Sequence, residues 1–514
     1  MSNSPSAQPG RGADRKRDFF PSPSILYHAA VWPLSPALPA EPQHARVARA
    51  LREAVRDGRL MPGQKLPGSR ELARTWNLAR NTVTDALEQL AAEGYLDIRQ
   101  RSGCYVADLP PGAAVPAPAG PPLVLSAWAR RTLEGQGRWS AGAGAVSSPV
   151  SGLDWIDFRL GRHSSGLFPS AQWAQSLWTQ SLSKQAHDAS YTPPDPRGPL
   201  ITRLALCEWL RRERGARVTP EMILLTGGAQ EALDALSRLL LEAGRVAVLE
   251  DPGYLGARAA FSASGASIWP LEVDTHGASA EDFVADLPAQ AVLAYLTPGC
   301  QFPSGVTLSA ARRSALLAWS RRSGAWLLED DYAADLHYAA RPPASLQGQA
   351  PERVLLLGSF SQSLAPALRS GYLVAPAHLI EVLTRTRPVT QRTPPTLDAL
   401  ALAEFLSGGG YAKHLRRARS ELNRRHEALL SALREGLPAL RPRPATAGTH
   451  LYLPLPPGWR EQDLQRRAAE AGVGLSRAGE YRLRAGEEAL LLAFAHLTPV
   501  TIRQGVERLA LALR

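Results

Sequence analysis

From about residue 156 to the C-terminus, short apolar runs alternate with helical stretches, and this alternation constrains the fold more than any other feature. The runs are VAVLE from Val246, AVLAYLT from Ala291, AWLLED from Ala325 and RVLLLGSF from Arg353. A strand that is apolar at consecutive positions buries both faces, and strands joined through helices pair in parallel. Residues 155–514 therefore read as an α/β domain, a mostly parallel central sheet with helices on both faces. At 514 residues the chain has room for two or three domains and a sizeable core. No run of 18 apolar residues occurs, and the first twenty residues have no apolar segment of the secretory kind, so neither a membrane nor export is expected. Cys104, Cys207 and Cys300 are far apart and odd in number, which fits a reducing cytoplasmic setting.

Two stretches lack periodicity. Residues 1–40 read as a disordered tail, and residues 110–154, opening on PPGAAVPAPAGPP, as a Pro/Ala-rich linker. Between them, residues 41–109 carry three helical patterns. Val47, Leu51 and Val55 mark one face of the first. Ser69 is the candidate cap of the second, Arg70 to Trp76, with Leu72, Ala73 and Trp76 inward. Val83, Ala86, Leu87 and Leu90 stripe the third, which Gly94 stops. Tyr95 to Ile98 and Cys104 to Ala107 then predict a hairpin. Three helices and a hairpin make a winged helix-turn-helix, an architecture that serves DNA binding and also protein binding. The net charge of +11 permits a polyanion partner. Residues 43–108 contribute little of it, with 11 basic and 8 acidic side chains.

The segment LPGSRELARTWNLARNTVTDALEQLAAEGYLDIRQRSGCYV resembles the DNA-binding domain of GntR-type regulators nearly end to end. The resemblance implies that Ser69, Arg70, Arg80, Asn81 and Thr82 face double-stranded DNA, with Arg101 and Gly103 in the wing. Planar guanidinium donors match guanine edges and phosphates. Ala79 stands where the family usually has serine, which removes a cap worth about 1 kcal/mol.

Five segments of the large domain carry chemistry. LLTGGAQEALD, from Leu224, is a strand, a glycine turn and a helix start, where free backbone N–H groups favour an anion. LEDPGY ends on Tyr254, and YLTPGCQFPSG runs from Tyr295 to Gly305. WLLEDDY, from Trp326, drives a buried strand into consecutive carboxylates, which is costly without partners. LGSFSQSLAPALRSGY runs from Leu357 to Tyr372. Together these resemble the fold-type I pyridoxal-phosphate (PLP) enzymes in the form attached to GntR heads, the MocR/GabR-like subfamily. The resemblance implies an aminotransferase-like effector and dimerisation domain with a smaller C-terminal α+β lobe from about Pro376. It also implies a homodimer. It assigns Gly228 and Ala229 to a phosphate cup, together with Ser359, Ser361 and Arg369. It sets Tyr254 against the pyridine ring, Asp330 at the ring nitrogen and Tyr332 at the 3-oxygen. Cys300 replaces the family's usual histidine. Arg482 and Arg484 lie nearest the region where the family sets an arginine against an amino-acid carboxylate.

One position breaks the pattern. Gln362 stands where the family has its lysine, and the four lysines of the chain (Lys16, Lys65, Lys184, Lys413) lie in no motif like the missing one. The family uses that amine to form a Schiff base with the cofactor and then to move the α-proton. An amide nitrogen does neither, because its lone pair is delocalised into the carbonyl. The expectation is a transcription regulator with no catalytic residue and no metal. Its large domain would sense PLP, an amine or an amino acid, holding PLP only non-covalently. Two other readings stand beside it: a PLP-independent regulator that uses the domain only to dimerise, and a working aminotransferase, which would need a lysine at 362. Asp330, Tyr332, Ser359 and Arg369 favour the first.

Overall fold

Apolar side chains three and four residues apart assemble the first of two compact units, which divide at residues 123 and 124. The computed structural model describes residues 34–38, 41–99, 102–108, 124–134, 155–163, 165–279, 287–288, 290–338 and 341–513. Helix α1 (Gln43–Arg56) buries Val47, Leu51 and Val55 against α3 (Arg80–Ala92), which contributes Val83, Ala86, Leu87 and Leu90. Between them lies α2 (Ser69–Trp76), ended by Asn77 in the left-handed conformation. Strands β1 (Leu96–Arg99) and β2 (Gly103–Val106) pair antiparallel, Leu96 opposite Val106. They sit one residue from where the alternation puts them.

Three expectations for this region need correction. The cap residue of α2 is Gly68, which has no side chain to cap with, and Ser69 is the first residue of the helix itself. The hairpin has a third edge that composition did not signal: Val106 N–H donates to Gln64 O at 2.9 Å and Leu66 N–H to Cys104 O at 2.8 Å. Part of the expected tail belongs to the head. Leu34 packs on its core, and Arg46 Nε donates to Ser35 O at 2.8 Å. The rest of the tail, most of the linker, and Arg101 lie outside the described residues.

Residues 127–134, inside the expected linker, are helical and dock on the large unit. Arg131 donates to Ala263 O from two nitrogens, at 3.0 and 2.8 Å, and Arg238 lies over the Trp128 ring at 5.5 Å. A Pro/Ala-rich composition hides two such anchors.

In the large unit β3 (Ile156–Asp157) leads to the strands of the main sheet: β4 (Ile223–Thr226), β5 (Val246–Asp251), β6 (Ser267–Asp274), β7 (Gly277–Ala278), β8 (Ala291–Leu296), β9 (Trp326–Asp330), β10 (Val354–Ser359) and β11 (Gly371–Val374). Their spatial order is β4-β11-β10-β9-β8-β5-β6-β7. The pairs from β10 through β6 are parallel, and β11 runs antiparallel to both neighbours. Alternate residues enter different cores. Leu355 and Leu357 pack with the helices Ala229–Leu240 and Leu255–Ser264, whereas Leu356 packs with Leu200–Arg214 and Thr396–Ser407. Burial on both faces is why these strands are apolar at consecutive positions.

The smaller lobe pairs β12 (His450–Pro454), β15 (Ala489–Ala493) and β14 (Ser476–Arg477) in that order, with β13 (Val473–Gly474) parallel to β3. The helix Gly410–Gly436 spans both lobes. Tyr411 and Leu415 lie in the main-sheet core, and Leu422, Leu429 and Leu433 in the small-lobe core with Phe158. The lobe boundary therefore falls inside this helix and not near Pro376, since the helix Ala377–Thr386 packs on the main sheet. Among the described residues no helix is long and apolar enough to cross a membrane.

Candidate functional site

Loops that follow the C-terminal ends of the parallel strands enclose a cavity of about 660 Å³, the position where open α/β sheets place ligands. Every residue that the sequence assigned to the cofactor lines it except Gly228, and Gln362 lines it too.

The floor is Asp330, the last residue of β9 and 5% exposed. Three consecutive carboxylates are separated here by strand alternation. Glu329 accepts from Ser345 Oγ at 2.5 Å and from the Leu346 and Gln347 N–H groups, both at 3.1 Å. Asp331 pairs with Arg214 through two contacts of 2.5 and 2.8 Å. Asp330 accepts the Tyr295 hydroxyl at Oδ2, 2.7 Å, and its Oδ1 is buried without a partner. Burial pushes its carboxyl up to about 7, against the hydrogen bond from Tyr295. A buried acceptor without a donor is expensive, so an N–H brought to Oδ1 would be stabilising.

One wall is aromatic. Phe302 touches Tyr254, Tyr332, His450 and Tyr481 edge to face, with ring centroids 5.2 to 6.0 Å away. Burial raises the Tyr254 phenol to about 12, so the ring stays neutral. The Tyr332 hydroxyl donates to Cys300 Sγ at 3.6 Å, a soft and weak acceptor. Cys300 is buried against Ala447 and Tyr332, the packed role a small residue fills.

The opposite end suits an anion. Gly228 (φ 116°) turns the chain into the helix Ala229–Leu240, whose start has no side-chain cap. A Cβ there would lie 3.7 Å from the Arg369 guanidinium, so the arginine lies over the glycine turn. Arg369 itself has φ 44°, a conformation that non-glycine residues adopt where the surroundings impose it. Ser359 Oγ and Ser361 Oγ are 3.0 Å apart beside it in the cavity wall. Glu231 fixes the turn: its Oε2 accepts Gly227 N–H at 2.5 Å while Oε1 pairs with Arg387 at 2.8 Å.

Arg482 and Arg484 do not enter the cavity. Arg482 donates to Tyr452 Oη at 3.0 Å, and Arg484 lies over Trp269. Among the described residues the cavity arginines besides Arg369 are Arg159 and Arg162. Sequence reasoning missed these two, with His450 and Glu480, because each belongs to an element whose approach to the sheet no periodicity encodes.

The head presents a second candidate surface. Arg70, Arg80 and Asn81 are exposed and Thr82 half-buried, at the starts of α2 and α3. Helix α3 has no acidic residue in its first turn and no side-chain cap at Ala79, so its N–H groups stay available to a phosphate. Gly103 has φ 120°, and a Cβ there would meet Lys65 Cε at 2.9 Å. Lys65 and Arg99 flank the Tyr105 ring at 5.6 and 4.6 Å, a cationic pair that the motif alone did not identify. Gly103→Ala is expected to destabilise the wing by about 1–3 kcal/mol through backbone strain. Hydrogen exchange of peptides covering 95–107 should quicken, and an unchanged rate would remove the conformational requirement.

Residues 162–509 match the aminotransferase class I and II family, and residues 43–106 match the bacterial regulatory proteins of the gntR family. The chain is 32% identical over 475 residues to the probable rhizopine catabolism regulatory protein MocR of Rhizobium meliloti, covering 91% of this chain and 93% of the relative. It is 31% identical to the HTH-type transcriptional regulator TauR of Rhodobacter capsulatus, covering 94% and 98%. Among solved structures, LysN, the α-aminoadipate aminotransferase of Thermus thermophilus complexed with N-(5'-phosphopyridoxyl)-L-leucine, aligns with a TM-score of 0.63 at 28% identity. That alignment covers 73% of this chain and 98% of LysN. Kynurenine aminotransferase of Pyrococcus horikoshii has the same fold, with a TM-score of 0.67 at 24% identity over 76% and 95% of the two chains.

Proposed function

The chain belongs to the MocR-like regulators, which join a gntR-family head to an aminotransferase class I and II domain, and we propose that in this member the large domain is a ligand receptor without catalytic turnover. It is an HTH-type transcriptional regulator, and its head binds DNA. The observation that carries the proposal is one cavity lined together by Ala229, Tyr254, Asp330, Tyr332, Ser359, Ser361 and Arg369, with Gln362 in the same wall.

The groups fit the cofactor. The Asp330 Oδ1 without a partner suits a protonated ring nitrogen, and the Tyr254 ring supplies a flat apolar wall. Tyr332 has a hydroxyl with no strong partner, for the 3-oxygen. Arg369, Ser359, Ser361 and the N–H groups at Gly228 and Ala229 suit a phosphate, the arginine as a planar fork. Bound PLP supplies an electron-withdrawing ring and an aldehyde that captures amines. The residues of this chain would orient it and exclude water, but among the described residues no lysine lines the cavity to bond to it or to move a proton at the substrate carbon.

Equilibrium dialysis tests the reading. PLP should bind at micromolar concentration, reversibly, and PLP with an amino donor and a keto acid should give no turnover. No binding, with or without amino acids, would leave the domain a dimerisation scaffold.

Self-association has support in exposed apolar side chains. Trp178, Leu182, Tyr191, Leu200, Ile201 and Leu204 lie on or beside three consecutive helices between residues 170 and 214. Exposed apolar side chains of this size are what a self-association surface would bury. A two-fold dimer would offer two heads to repeated half-sites. On a selected operator, Arg80→Ala should weaken binding by about 1–3 kcal/mol and spare non-specific DNA, as anisotropy titrations measure. An equal loss on both DNAs would reduce Arg80 to a phosphate contact.

A further inference from the structure

Most of the net charge of +11 lies outside the head, whose residues 43–108 hold 11 basic and 8 acidic side chains. One helix of the large unit concentrates it. Gly410–Gly436 has 7 basic and 3 acidic residues, and positions 410–420 hold Lys413, Arg416, Arg417 and Arg419 with no acid among them. Burial sorts these residues by face. Tyr411, His414, Leu415, Ala418 and Leu422 point into the protein. Lys413, Arg416, Arg417, Ser420 and Arg424 are exposed, at spacings of three and four that keep them on one face. From Lys413 to Arg424 the stripe rises about 17 Å. Arg419 lies off it, half-buried, with Nε donating to Asp335 O at 2.8 Å.

Exposed arginines on other helices are balanced one turn away. Arg238 pairs with Asp234, Arg385 with Glu381 and Arg466 with Glu470, each at 2.8 Å. Lys413, Arg416 and Arg417 pair with no carboxylate among the described residues. Glu421, one turn beyond Arg417, is turned instead to Arg424 at 2.8 Å and Arg425 at 2.6 Å. The arrangement works against the helix itself. Cations toward its N-terminus oppose the backbone dipole, and Lys413 repels Arg416 and Arg417 at the third and fourth positions on. A polyanion laid along the stripe would relieve both. The protein already binds one, since its head holds DNA. Duplex DNA carries one negative charge per roughly 1.7 Å of axis, so a length matching the stripe presents about ten phosphates.

We propose that Lys413, Arg416 and Arg417 form a second DNA-contact surface, on the large domain, and that it takes the phosphate backbone of duplex flanking the operator. Contacts of this kind add affinity and salt dependence without reading bases. The three residues are not part of the cavity lining, so the assignment stands apart from the receptor reading.

The test uses the full-length protein and two duplexes, a selected operator alone and the same operator extended on both sides by unrelated sequence. Anisotropy titrations at several salt concentrations give the slope of log affinity against log salt. The native protein should bind the extended duplex more tightly and with the steeper slope. In Lys413→Ala/Arg416→Ala/Arg417→Ala the slope on the extended duplex should flatten by about 2 to 3, close to one phosphate per side chain, while the operator alone binds as before. A second triple variant, Arg385→Ala/Arg460→Ala/Arg466→Ala, removes the same charge from paired arginines elsewhere and should keep the native slope. The thermal midpoint of the stripe variant should not fall, because the charges it loses repel one another. Four results would overturn the assignment. They are flanks that add nothing to native binding, a stripe variant with the native slope, an equal loss on both duplexes, and an equal flattening in the control variant. A midpoint that falls together with the slope would assign the stripe to folding, which overturns it as well.

Discussion

Gln362→Lys is expected to turn the cavity from a reversible into a covalent holder of PLP. Position 362 lines the same cavity as Asp330, Tyr332 and Arg369, so an amine there would share the cavity with the groups that would hold the ring. The fold around the position needs little change. Phe360 O accepts Leu364 N–H at 2.8 Å across the turn, and Tyr411 holds Ser363 Oγ at 2.8 Å from behind. Dialysis should strip the native protein of PLP almost completely. The variant should retain it near one equivalent, show a new absorbance band and become irreversibly labelled on borohydride reduction. A variant as dialysable as the native protein would mean that the turn carries residue 362 away from the aldehyde, and the loss of lysine would then not explain the lack of covalent chemistry.

Arg214→Ala should be among the most destabilising single substitutions in the large unit, by about 3–5 kcal/mol. Arg214 and Asp331 are each only 3% exposed at the side chain, and the arginine also donates to Pro343 O at 3.0 Å. The pair is worth little net against an apolar substitute, because both charges give up hydration. Removing one partner is different, since it strands a buried carboxylate. Urea denaturation should show the drop in midpoint. The double variant Arg214→Ala/Asp331→Ala should lie closer to the native protein than Arg214→Ala does. A double variant that adds the two single losses would show that the pair is not coupled.

Asp331 also shows how far the sequence reaches. The run WLLEDDY announces a buried strand ending in carboxylates, and its resemblance to the family assigns Asp330 and Tyr332 to the ligand side, where both line the cavity. Nothing in the run says which partners neutralise its neighbours. Those partners are Ser345 for Glu329, Tyr295 for Asp330 and Arg214 for Asp331, 16, 35 and 117 residues away. The cavity arginines follow the same logic. DFRLGR is an unremarked loop in the sequence, yet pairing of β3 with β13 brings residues 156–157 beside residues 473–474 and sets Arg159 and Arg162 in the wall.

The sequence by itself determined the winged head, the doubly covered sheet, the glycine turn of the anion end and the absence of the lysine. Each of these is a local matter: periodicity selects an element, a glycine permits a backbone angle, and an amide lacks an amine's lone pair wherever it lies. The tertiary structure alone decided the lobe boundary inside the helix Gly410–Gly436, the docking of residues 127–134, the orphaned Asp330 Oδ1 and the shared aspartate beneath Arg159 and Arg162. These depend on which distant segments meet, and the burial and charge balance they create are properties of the assembled neighbourhood.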